Sequence, residues 1–143
     1  ILAALLPRQF REVDAKLAMR CGLVGRYRAA FAGHPHIATV EEVPGCVSAH
    51  HLFTIGVPAH VRDLVLKKLN QAGVGCTVNY RAVHGLEFYR TKYGFAREDF
   101  PVAADWGDRT LSLPLFPGLT DDEQGYVIEC VLQAVTEAVA ETD

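Results

Sequence analysis

Gly73-Val74-Gly75-Cys76-Thr77-Val78-Asn79-Tyr80-Arg81-Ala82-Val83-His84 is the stretch on which the fold turns. Val74, Cys76 and Val78 alternate with Thr77 and Asn79. That period of two predicts a half-buried strand over residues 74–80. Just upstream, Val61, Leu64, Val65 and Leu69 recur at helical spacing, and Gly73 stands where a helix C-cap belongs. A helix over 61–72 therefore turns tightly into a strand. Gly73-Val74-Gly75 resembles part of a phosphate loop, but neither a Walker nor a G-x-G-x-x-G pattern follows, so cap and turn explain it. Where the strand ends, Tyr80, Arg81 and His84 crowd together, with Phe88, Tyr89 and Arg90 close behind. Such exits are where a rigid scaffold presents chemistry to a ligand.

Downstream, residues 87–93 read as a short helical turn closed by Gly94. Pro101 suits a first helical position and opens a short helix through about Asp105. Residues 110–115 form a strand whose Pro114 marks an edge or terminus. Thr120-Asp121-Asp122-Glu123 is a capping box, and Val127, Ile128, Val131, Leu132, Val135 and Val139 stripe one face of the helix it opens. Upstream, Leu6, Phe10, Val13, Leu17, Val24, Tyr27 and Phe31 predict one long connecting helix over about 5–31, stopped by Gly33 and Pro35. Residues 36–43 give a weaker strand, and 50–57 a better one around Leu52-Phe53-Thr54-Ile55. The expected architecture is α+β, with three or four strands in a mostly antiparallel or mixed sheet covered by helices in two layers.

Half of the 143 residues are hydrophobic and 22% are charged, a composition that folds rather than staying disordered. A net charge of −3 gives no electrostatic case for nucleic acid, and no polybasic run suggests a membrane surface. The opening Ile1-Leu2-Ala3-Ala4-Leu5-Leu6 lacks the charged start of a secretory signal and is far shorter than a spanning helix. It reads as a chain entered in mid-helix, a piece of something larger. Leu2, Leu5 and Leu6 are candidates for a face that meets the rest, and exposing it predicts self-association. Cys21, Cys46, Cys76 and Cys130 show no metal or redox spacing and are expected to be reduced thiols in a cytoplasmic protein.

The residues themselves leave the chemistry open. Arg81 can clamp a phosphate or carboxylate with its planar fork, and His84 can donate a hydrogen bond or shuttle a proton. Tyr80 and Tyr89 can stack on a base or sugar, yet all four also fit an ordinary polar surface loop. His50 and His51, adjacent on an expected strand, point to opposite faces and do not share a metal; His34 and His36 lack a completing ligand. Neither Ser48 nor Ser112 has a triad context. Lys16, Lys67, Lys68 and Lys92 lie at exposed-looking positions, whereas a Schiff-base lysine is desolvated.

Taken together, Ser48-Ala49-His50-His51-Leu52-Phe53, the 73–84 stretch, Phe88-Tyr89-Arg90, Asp99-Phe100-Pro101-Val102-Ala103 and Leu111-Ser112-Leu113-Pro114-Leu115-Phe116-Pro117-Gly118-Leu119-Thr120 resemble the DegT/DnrJ/StrS family of sugar-nucleotide aminotransferases. The branch making 4-amino-4-deoxy sugars and spore-coat polysaccharide is the nearest in flavour. The resemblance implies the small C-terminal domain of the type I pyridoxal-phosphate aminotransferase fold, with residues 1–33 connecting from a large domain and 34–143 forming the small one. It implies a homodimer that moves an amino group from glutamate to a nucleotide-linked keto sugar, using pyridoxal 5'-phosphate held in the large domain. By the same implication Tyr80, Arg81, His84, His51 and Tyr89 bind substrate, while this chain supplies no catalytic, cofactor-binding or metal residue and is inactive alone. Asn79, Ala104 and Trp106-Gly107 depart from the family pattern. The alternative is a stand-alone sugar-nucleotide-binding or dimerisation module without catalysis.

Overall fold

A computed structural model describes residues 2–142, the side chains of Leu2, Ala4 and Leu5 excepted. Those exceptions leave the expected roles of Leu2 and Leu5 outside the described residues. In place of one long helix there are two: α1 (Leu2–Arg11), which carries Pro7 in its interior, and α2 (Val13–Phe31). The joint is Glu12, at φ −100° and ψ −1°. Its N–H donates to the Gln9 carbonyl at 3.2 Å, a tightened last turn, and its carbonyl accepts from Lys16 N–H at 3.0 Å. The apolar stripe is accordingly split. Val24, Tyr27 and Phe31 are buried, whereas Leu6 is 60% and Phe10 78% exposed.

The sheet has three strands in the order β1 (Ala38–Thr39), β2 (Phe53–Gly56), β3 (Thr110–Leu113), all antiparallel. Each is shorter than expected. Residues 50–52 precede β2 without pairing, and His50 turns the chain at φ 45°. The Ser48 hydroxyl accepts the His50 N–H at 3.2 Å and steadies that left-handed turn. The strand expected at 74–80 reduces to a single antiparallel bridge of Thr77 with Ser112, made by two backbone hydrogen bonds of 3.4 and 2.8 Å. A helix-to-strand turn is there, but only one residue adds to the β3 edge.

Pairing of Phe53 with Leu113 and of Ile55 with Leu111 sends four apolar side chains to one face. Onto it pack Tyr27 and Phe31 of α2, Val65 and Leu69 of α3 (Arg62–Gln71), and Val127, Val131 and Val135 of α6 (Asp121–Ala140). Tyr27 stacks on Phe53 with centroids 4.8 Å apart, and its hydroxyl donates to the Pro114 carbonyl at 2.9 Å. Burial pushes that hydroxyl's pKa well up. The capping box opens α6 as expected: the Thr120 hydroxyl accepts from Glu123 N–H at 3.3 Å, and the Glu123 carboxylate accepts from Thr120 N–H at 2.8 Å.

The opposite face of the sheet is small and polar, with Thr54 against Ser112 and Gly56 against Thr110. Here the structure departs from two clean layers. α5 (Pro101–Arg109), four residues longer than the expected helix, lays Trp106 over Gly56, where even a methyl group would come within 2.9 Å of the indole. α4 (Glu87–Tyr93) lies where expected and ends at Gly94, left-handed at φ 68°. The fold class stands as expected: α+β, a small antiparallel sheet covered by helices.

Candidate functional site

The segment leaving Thr77 runs out along the polar side of the sheet. Residues 83–85 form one 3₁₀ turn, in which Gly85 and Leu86 N–H donate to the Ala82 and Val83 carbonyls at 3.0 and 3.1 Å. α5 fixes this turn from behind. A methyl group on Gly107 would stand 2.5 Å from the Ala82 backbone nitrogen, so only glycine lets the helix come this close.

Between the 3₁₀ turn, α4 and α5 lies a pocket of about 320 Å³. Arg81, His84, Arg90 and Arg97 give it polar walls, and Asp108 enters from α5. His84 is buried, its ring 4.9 Å from that of Phe100. Phe100 meets Phe95 edge-on at 5.2 Å, Phe95 stacks with Tyr93 at 5.4 Å, and Tyr93 with Tyr89 at 6.2 Å. The aromatic row stiffens a wall that has little regular secondary structure. A second brace is the Asp99 carboxylate, which accepts the Ala96 N–H at 2.8 Å.

The charges in this pocket do not cancel. Arg97 pairs with Asp108. Arg81 and Arg90, among the described residues, have no acidic partner within 4.0 Å. Two guanidinium groups beside a buried imidazole can bind an oxyanion by charge-assisted, bidentate hydrogen bonds.

Of the five residues singled out in the sequence, the structure brings Arg81 and His84 together in this pocket. Tyr89 lines none of it but belongs to the aromatic row, between Phe88 and Tyr93, and Tyr80, 72% exposed, lines none of it either. His51 is exposed and lines none of the pocket. Its neighbour His50 faces a different hollow, with its Nε2 3.3 Å from the Glu42 carboxylate, which also takes Arg28 at 3.0 Å. Asp108 could not be seen in the sequence because nothing marked α5 as continuing past Asp105, and Arg97, in the turn before α5, reaches the pocket only through the fold. Arg90 was visible one turn beyond His84, but only the fold shows that it shares a wall with Arg81.

None of the four lysines lines the pocket. Lys16 pairs with Glu12 at 2.8 Å, and Lys92 is exposed over the Phe88 and Tyr93 rings. Lys68 sits 2.8 Å from both Glu137 and Glu141, and these hydrogen bonds hold its pKa above the ordinary lysine value. Glu137 is correspondingly held below the carboxylate range, first by Lys68. Cys76, buried and donating its Sγ–H to the Ser112 carbonyl at 3.0 Å, has its thiol pKa pushed up to about 11 by burial. Among the described residues there is no cluster of three or more His, Cys, Asp or Glu side chains able to hold a metal, and no helix is long and apolar enough to cross a membrane.

The family model for DegT/DnrJ/EryC1/StrS aminotransferases matches residues 1–132. The spore coat polysaccharide biosynthesis protein SpsC of Bacillus subtilis is 30% identical over 138 residues, which are 93% of this chain and 36% of that protein. Spr1654 of Streptococcus pneumoniae, described as a sugar aminotransferase and solved in its PMP-form, superposes with a TM-score of 0.85 at 27% identity, covering 94% of this chain and 34% of that one. DesV of S. venezuelae gives a TM-score of 0.84 at 26% identity, over 92% of this chain and 35% of the other. The chain thus spans about a third of the length of these relatives. On the family match and the shared fold, the chain belongs to the DegT/DnrJ/EryC1/StrS aminotransferase family.

Proposed function

We propose that these residues are the small C-terminal domain of a pyridoxal-phosphate-dependent sugar-nucleotide aminotransferase. In this reading residues 1–33 lead in from a large domain and 34–143 form the small domain. Glutamate gives the amino group, a nucleotide-linked keto sugar receives it for polysaccharide synthesis, and the enzyme works in the cytoplasm as a homodimer. The observation that carries the reading is the pocket in which Arg81, Arg90 and His84 stand without a neutralising acid, in a chain of this family. The relative Spr1654 is solved in both PMP- and PLP-forms, which supports the choice of cofactor.

The residues present here do not fit that cofactor. When bound, it supplies an electron sink to the substrate carbon and needs a lysine with a depressed pKa. Lys68 is shifted the other way, and no lysine reaches the arginine pocket. No chemical step is therefore assigned to this chain. Its part is to wall the substrate site: Arg81 and His84 line the pocket, and Tyr80, Tyr89 and His51, which line none of it, meet the substrate outside it. Tyr80 and His51, exposed as they are, complete the site only against another part of the assembled enzyme.

The test is amination of a nucleotide-linked keto sugar with glutamate, by the longer polypeptide and by these 143 residues alone. The longer polypeptide is expected to turn over, and the 143-residue chain is not. A chain that binds sugar nucleotide equally well in isolation, and whose longer form never transfers an amino group, is instead a binding module.

A further inference from the structure

Resting on that reading, we infer that the pocket between residues 81–90 and α5 is a subsite for the phosphate groups of the nucleotide sugar, with Arg81 and Arg90 as its two clamps. Four observations carry the inference. Arg81 and Arg90 line one cavity together, and neither is paired with an acid among the described residues, whereas Arg97, which lines it too, is paired with Asp108. Two like charges facing one hollow repel each other, and a bound anion removes that penalty. His84 lines the same cavity, buried, as a third possible donor. The cavity, about 320 Å³, is at the small end of ligand sites, suited to a charged group of the ligand rather than a whole nucleotide sugar. Lastly, the wall is braced: Gly107 seats α5 on Ala82, next to Arg81, and Phe95, which lines the cavity, packs against Tyr93 and Phe100.

Phosphate is favoured over the donor's carboxylate by charge. Asp108 contributes a negative group to the pocket, and Arg97 offsets it. That leaves two uncompensated guanidinium charges, which a diphosphate balances and a single carboxylate does not.

Inorganic pyrophosphate and glutamate are the probes, titrated calorimetrically against the full-length protein. Pyrophosphate is expected to bind, with affinity falling as salt rises. Arg81→Ala and Arg90→Ala should each weaken it about tenfold or more, the loss of a charge-assisted contact, while Arg11→Ala on the surface of α1 leaves it unchanged. Asp108→Asn should tighten it, a gain that misfolding does not produce. Pyrophosphate binding untouched by both arginine substitutions overturns the inference. So does glutamate binding that is lost in the same variants while pyrophosphate binding is kept. The two readings fail separately. If pyrophosphate binds as described but no nucleotide sugar is aminated, the subsite stands and the aminotransferase reading falls. If amination proceeds and the arginine variants bind pyrophosphate normally, the reading stands and the subsite falls.

Discussion

Gly107 shapes the pocket without lining it. A methyl group there would meet the Ala82 backbone nitrogen at 2.5 Å and its Cβ at 3.1 Å, and backbone does not swing aside as a side-chain tip does. Gly107→Ala is expected to cost about 1–3 kcal/mol and to widen the gap between α5 and the 3₁₀ turn. Emission from Trp106, the only tryptophan, reads both the unfolding midpoint and the local change. Cys76 is buried beside the bridge to β3, where its thiol donates to the Ser112 carbonyl. Its folded pKa of about 11 lies above the ordinary 9.0, so its contribution to stability is complete below pH 9 and is lost as pH rises through 11. A thiol reagent at pH 8 should modify exposed Cys21 and Cys46 at once and Cys76 only on unfolding. Equal rates for Cys76 and Cys21 would contradict this placement. At this scale the sequence was generous about Arg81 and His84, because both follow directly on the same turn. It was silent on Asp108, whose approach depends on a glycine contact thirty residues from the strand exit.

Elements with local signals were read correctly, and those made by partners were not. The α6 start was legible because both halves of its cap lie within four residues. Losing the Thr120 side chain in Thr120→Ala is expected to cost about 1 kcal/mol, visible as a lower urea midpoint. The Glu123 carboxylate is held below its ordinary pKa, first by the Thr120 N–H and then by its hydroxyl. Its folded pKa is depressed, so the cap's contribution is present at neutral pH and disappears as pH falls through that lowered value. In Thr120→Ala the acid limb should therefore shift toward higher pH; an unchanged limb would mean the carboxylate gains nothing from the cap. α3, α4 and the turn at Gly73 were equally local. The strands were over-long because alternation shows which residues could pair, while pairing itself needs a neighbour. Residues 74–80 find one only at Thr77, and 36–43 only at Ala38 and Thr39. The helix break at Glu12 gave no apolar signal either, since the stripe of threes and fours runs straight across it.

At the scale of the whole molecule, the core is one-sided. It lies between the sheet and α2, α3 and α6, while α1 and the segment around the pocket carry their apolar groups outward. Phe10, Leu6, Phe88 and Val102 are 78%, 60%, 62% and 83% exposed. Surfaces of this kind associate. Sedimentation of the 143-residue chain is expected to show concentration-dependent self-association, and an ideal monomer at high concentration would count against it. The same openness explains why the site was only half legible: the exposed Tyr80 and His51 have no counterpart within these residues that reveals their use. The central claim is that this domain walls a sugar-nucleotide site and leaves the coenzyme to another part of the enzyme. Its most direct test is glutamate-dependent amination of a nucleotide-linked keto sugar, compared between the longer polypeptide, its Arg81→Ala variant and the 143-residue chain supplied with pyridoxal phosphate. The account predicts turnover by the longer polypeptide, a KM for the sugar nucleotide about tenfold higher in Arg81→Ala, and none by the isolated chain. Turnover by the isolated chain, or a KM indifferent to Arg81, would contradict it.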